Sequence, residues 1–272
     1  MSDHHHSHSH DGELEDHDRG LAFDLQNTRH RRAFLGMVGA GAATVGGAVL
    51  LGTTAGSAAA AAVAEIPTET AGPYPGDGSN GPNALAESGI VRRDIRRSFG
   101  SSTTKAPGQP FELKLRLVDT EDLSPLVGYA VYAWHCNRDG AYSMYGAGIT
   151  GENYLRGVQV SNGRGVVRFK SIYPACYSGR WPHIHFEVYA NVSEATGGGI
   201  PLVTSQLALP RTTSMKVYNR VAGYEQSVTN LNRVSISSDM VFGDDGGVRE
   251  LARIKGNLKK GYRAKLVVPV DV

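Results

Sequence analysis

Phe111-Glu112-Leu113-Lys114-Leu115-Arg116-Leu117 alternates apolar and charged side chains without a break. A strand turns successive side chains to opposite faces, so a period of two predicts a half-buried strand. The same reading extends outward. Residues 129–135 form a β-prone run that ends at Asn137-Arg138-Asp139-Gly140, a turn signal. Residues 165–169, 183–189, 202–207 and 262–270 read as further strands, 193–199 as a loop, and 251–258 as a short helical turn or a loop. Helical periodicity is scarce. Short strands divided by Gly, Pro and Asn turns predict an all-β fold, a sandwich or a barrel with long loops.

The first 64 residues have a different character. Residues 1–30 are polar, hold seven of the ten histidines and lack apolar periodicity, which predicts a disordered, solvated tail. Arg31-Arg32-Ala33-Phe34-Leu35 then opens an uncharged run rich in Gly and Ala, and Ala62-Val63-Ala64 offers a small-residue cleavage pattern. Together these predict a twin-arginine type of export signal. The run is too rich in Gly to make a good membrane-spanning helix. The expectation is an exported protein, extracellular or wall-associated, whose residues 65–272 form one domain without stable membrane attachment. Once the acidic leader is set aside the remainder is mildly basic, which weakly favours anionic small molecules. No Lys/Arg run interleaved with aromatics suggests nucleic acid. Cys136 and Cys176 are the two cysteines; in an oxidising compartment an even pair suggests a disulfide, with two buried thiols as the alternative.

Beyond the leader three histidines remain, His135, His183 and His185. His183-Ile184-His185 puts two imidazoles on one face of a strand, which is half of a metal site or a packed pair. Tyr142 follows the turn after Trp134-His135, and Tyr177 stands six residues before His183 across a Pro/Gly turn. Two phenolates beside two imidazoles would suit a hard trivalent ion.

Trp134-His135-Cys136-Asn137-Arg138-Asp139-Gly140-Ala141-Tyr142 and Tyr177-Ser178-Gly179-Arg180-Trp181-Pro182-His183-Ile184-His185-Phe186 resemble the signature of the intradiol ring-cleavage dioxygenases. Glu69-Thr70-Ala71-Gly72-Pro73-Tyr74-Pro75 resembles the segment that opens their catalytic domain, Arg93-Asp94-Ile95 the strand entry that follows, and Thr204-Ser205-Gln206-Leu207 the segment after their histidines. The resemblance implies a β-sandwich catalytic domain in which Tyr142, Tyr177, His183 and His185 hold non-haem Fe(III). It implies that Arg180 stabilises negative charge on the substrate, that Gln206 lies just outside the ligands, and that Gly72, Pro73 and Tyr74 line the substrate mouth. Tyr177 would leave the metal and accept a substrate proton. The implied reaction joins O2 to a catechol-type ring and yields a muconate-type diacid, with no NAD, flavin or haem. No Gly-rich dinucleotide fingerprint is present.

The pattern departs from the family in places. The gap between Tyr177 and His183 is short beside the protocatechuate members, a helical N-terminal dimerisation region is lacking, and residues 191–201 lengthen the link to Gln206. The natural catechol and any homo-oligomer are left open. Two other readings compete. A cupin-like metalloenzyme would want a carboxylate four or five residues after His185, where Tyr189 and Ala190 stand. A transthyretin-like ligand-binding module would not require Tyr142, Tyr177 and Arg180 at these spacings.

Overall fold

The computed structural model describes residues 62–272. The His-rich tail, the paired arginines and the apolar run after them lie outside the described residues. Among the described residues eight strands form two four-stranded sheets. The first sheet contains β1 (Pro110–Asp119), β4 (Val166–Ile172), β7 (Arg253–Asn257) and β8 (Gly261–Val270), in the order β4-β1-β8-β7. Its central pair, β1 and β8, runs parallel, and its other pairs are antiparallel. The second sheet contains β2 (Ala130–Trp134), β3 (Arg156–Val160), β5 (His183–Tyr189) and β6 (Val203–Ala208), in the antiparallel order β3-β2-β5-β6.

The alternation in β1 does what its pattern demands. Phe111, Leu113, Leu115 and Leu117 are buried, while Lys114 is half-buried and Arg116 exposed. They pack with Val131, Ala133, Ile184, Phe186 and Leu207 of the second sheet in one large core. Burying such side chains is worth roughly 1.5–3 kcal/mol each. The second sheet therefore spends one face on this core. Its other face carries Tyr132, Trp134, His183, His185, Glu187, Thr204 and Gln206, all buried under the segments that cover the sheet, the short helix at 192–197 among them.

The all-β expectation is corrected. Among the described residues three α-helices accompany the strands: α1 (Val192–Gly197), α2 (Arg211–Tyr218) and α3 (Glu225–Arg233). The architecture is a mixed α/β one around an eight-stranded core. Residues 193–199, expected to form a loop, fall largely within α1, whose start is capped by the Asn191 side chain accepting from the Glu194 N–H. Residues 251–258 hold strand β7 rather than a helical turn. Helix α3 carries only a short apolar stripe, Val228 and Leu231, and its buried face also holds the polar Ser227 and Asn230. Ser227 Oγ accepts from the Cys176 N–H at 3.0 Å, and Asn230 Nδ2 donates to the Cys176 carbonyl at 2.8 Å. The helix is thus docked by hydrogen bonds onto the turn that carries Tyr177.

Candidate metal centre

Cross-strand pairing lines up one row across the second sheet: Arg156 on β3, Trp134 on β2, His185 on β5 and Gln206 on β6. The Trp134 and His185 rings stack with centroids 5.0 Å apart and planes 8° from parallel. His183 lies two residues earlier on the same face. Its Nδ1–H donates to the Trp181 carbonyl at 2.5 Å, which turns the Nε2 lone pair toward the site.

The two tyrosines arrive from separate turns. Gly140 sits in the left-handed region at φ 89°. A Cβ there would stand 3.2 Å from the Tyr177 Cβ, so the turns that carry Tyr142 and Tyr177 meet at a residue without a side chain. Their polar atoms converge with the imidazoles. His183 Nε2 and His185 Nε2 are 3.1 Å apart. Tyr142 Oη lies 3.4 Å from the first and 3.2 Å from the second, and Tyr177 Oη lies 3.2 Å from His183 Nε2. Donor atoms each about 2.0–2.1 Å from a shared cation stand about 3 Å apart, so the set fits a single ion. Among the described residues no group of three or more His, Cys, Asp or Glu side chains is arranged to hold a metal. The histidine pair needs the two phenols to make up a ligand set.

Electrostatics agree with that donor set. Burial, then Arg180, holds His183 well below the ordinary imidazole range; burial, then His183, does the same for His185. Both are neutral donors at neutral pH. Burial and the neighbouring Tyr177 push the Tyr142 phenol well above its usual value, so this group ionises only beside a cation.

Arg180 has no exposed side-chain surface. Its Nε donates to Asp239 Oδ2 at 3.0 Å and its Nη2 to Gln206 Oε1 at 2.7 Å. Gln206 Nε2 donates in turn to the Thr70 carbonyl at 2.9 Å, which joins the 70–75 segment to the site. The Tyr74 ring lies 5.1 Å from that of Tyr142, centroid to centroid. Gly72 and Pro73 stand in the same segment, where the Gly72 N–H donates to Thr70 Oγ1 and Asn80 Nδ2 donates to the Pro73 carbonyl.

The expected bridge between Cys136 and Cys176 is not formed. Both are buried free thiols aimed at different carbonyls, Cys136 at Ala175 and Cys176 at Arg180. Burial raises both thiols, Cys136 to about 12. His135, the third histidine, is not among the converging groups. Its Nδ1 meets the Cys136 carbonyl and its Nε2 the Ser171 hydroxyl, and burial lowers it to about 4.

Several residues of the site carry no sequence signal. Asp239 anchors Arg180 and also accepts from the backbone N–H groups of Trp181, Val241 and Phe242. Buried Arg156 donates to the carbonyls of Tyr74, Pro75 and Ser143, tying the 70–75 segment to the Tyr142 turn. Glu250 is fully buried with no hydrogen-bond partner for either oxygen; burial, then Glu69, raises it to about 9. Glu69 rises to about 8, chiefly by burial and then by Asp244.

No family model matches the chain, and no curated protein does. Solved structures do. An intradiol ring-cleavage dioxygenase from Tetranychus urticae superposes with a TM-score of 0.60 at 25% identity, over 77% of this chain and 95% of that one. The fold is that of the intradiol ring-cleavage dioxygenases. The dioxygenase Tetur07g02040 gives the same TM-score at 24% identity over 76% and 94% of the two chains. The dioxygenase domain of a carbohydrate-binding fusion protein from Streptomyces sp. SirexAA-E superposes with a TM-score of 0.48 at 21% identity, over 77% of this chain and 99% of that one.

Proposed function

We propose that this chain is an enzyme that opens catechol-type rings by the intradiol route, with O2 as co-substrate, at a non-haem Fe(III) held by Tyr142, Tyr177, His183 and His185. One observation carries the reading: two phenol oxygens and two imidazole nitrogens from two turns and one strand converge with spacings of 3.1 to 3.4 Å. When bound, Fe(III) would supply Lewis acidity to the reaction.

The chain's own groups divide the remaining work. His183, set in one tautomer by Trp181, and His185, stacked on Trp134, are neutral donors held in fixed orientation. Tyr142 is buried, whereas Tyr177 is half-buried, so Tyr177 is the phenol with room to move and to hold a substrate hydroxyl proton at its Oη. Arg180 is a fixed positive charge whose position is set by Asp239 and Gln206, suited to an anionic substrate oxygen. Gly72, Pro73 and Tyr74 form the substrate-facing wall.

Colour and oxygen uptake test the proposal. Iron-loaded protein should show a tyrosinate-to-Fe(III) charge-transfer band and consume O2 with at least one member of a catechol panel. His185→Ala should lose most of its iron, and Tyr177→Phe should keep iron but lose most turnover. A colourless iron-loaded protein, or His185→Ala with full iron content, would sink the ligand set. We further propose that residues 65–272 form the exported domain and that the leader uses the twin-arginine route. Replacing Arg31 and Arg32 by Lys should retain the protein inside the cell.

A further inference from the structure

The outer face of the first sheet is not a generic charged surface. The registers place Arg168 of β4, Lys114 of β1, Lys265 of β8 and Arg253 of β7 side by side in one row, one cation from every strand. The next row reads Lys170, Glu112, Arg263 and Lys255. Glu112 is the single acid in the two rows, and it is shared between Arg263 and Arg93. Like charges directly opposite one another weaken a sheet. Partial burial, then Arg168 and Lys265, holds the Lys114 ammonium below the ordinary lysine range, which registers the crowding. Charged edges keep sheets from pairing, but here the cations also fill the two central strands.

We propose that this face docks a linear polyphosphate-type polyanion, laid across the four strands. Neighbouring strands stand about 4.8 Å apart, so a row of four presents its cations over about 14 Å, and the rows repeat about 7 Å along the strands. That spacing serves a chain of closely set anions, and arginines in both rows can take phosphate oxygens in pairs. Among the described residues none of the exposed large hydrophobics is aromatic, and Val267 is the one on this face. A bilayer would have little to grip and a nucleic-acid strand no ring to stack on. The acids Glu69, Asp244, Asp245 and Glu250 cluster instead near Arg180, by the second sheet. A polymer held on the first sheet therefore leaves the metal centre facing away from it. The proposal does not depend on the ring-cleavage reading.

The test uses the full iron-loaded protein and immobilised long-chain inorganic polyphosphate. Binding should weaken on the order of a hundredfold between about 50 mM and about 200 mM salt, as counterion release requires. Lys114→Gln combined with Lys265→Gln should bind about tenfold or more weakly at low salt, with oxygen uptake and melting temperature retained. Failure of the unaltered protein to bind at low salt would overturn the proposal, as would unchanged binding by the double variant. Tighter binding to phosphatidylglycerol vesicles than to polyphosphate would assign the face to a lipid surface instead.

Discussion

Glu250 shows how much a single buried carboxyl can weigh. Unfolded, it ionises near 4.5; folded, it holds its proton to about 9. Between those values the unfolded chain has released a proton that the folded chain keeps. Rising pH therefore favours unfolding, by up to about 1.4 kcal/mol per pH unit. The stabilisation is whole below 4.5 and is lost progressively up to about 9. Glu250→Gln should flatten the fall of melting temperature from neutral to alkaline pH, and leave stability in acid unchanged. Thermal melts across pH check this; identical slopes in the two proteins would deny the buried proton. Glu69, raised to about 8, shares the slope, so the variant removes part of it.

At the scale of elements, the site is built where two turns touch. Gly140→Ala adds a side chain at φ 89° and within 3.2 Å of Tyr177. The left-handed backbone alone costs about 1–2 kcal/mol, seen as a lowered urea midpoint. Because the contact is on Tyr177 itself, the charge-transfer band of the iron-loaded variant should move as well. An unshifted band with lost stability would mean that the turns pack without setting the ligand. The same scale shows what the sequence made legible. Strands β1, β5 and β8 were readable because their faces alternate or their buried runs are flanked by turns, and the strings that carry Tyr142, Tyr177, His183 and His185 stood out by their spacing. The short helices were not. Helix α3 is short and shares its buried face between apolar Val228 and Leu231 and hydrogen-bonded Ser227 and Asn230, so two side chains are all its apolar signal. Strand β3, Arg156–Val160, hides because it buries an arginine whose partners lie tens of residues away. Asp239 is 59 residues from Arg180, and only folding brings them together.

For the molecule as a whole, the proposed centre would take its ligands from the 142 turn, the 177 turn and β5. Around them it draws in the 70–75 segment through Gln206 and the 239–242 segment through Arg180 and Trp181. A cation bound there favours the folded state alone, by about 4 kcal/mol when its concentration is a thousand times the dissociation constant. Stripping the metal should lower the melting temperature on the order of 10 °C, and re-addition of iron should restore it. Equal melting temperatures with and without metal would show that the four donors do not clamp the fold.

The second sheet keeps its aliphatic packing on one side and its reactive groups on the other. The covering loops can therefore change in length and shape while the hydrocarbon interior stays as it is. Under the proposed function, such a scaffold acquires new appetites for aromatic compounds by rewriting the roof, with no need to rebuild the foundations.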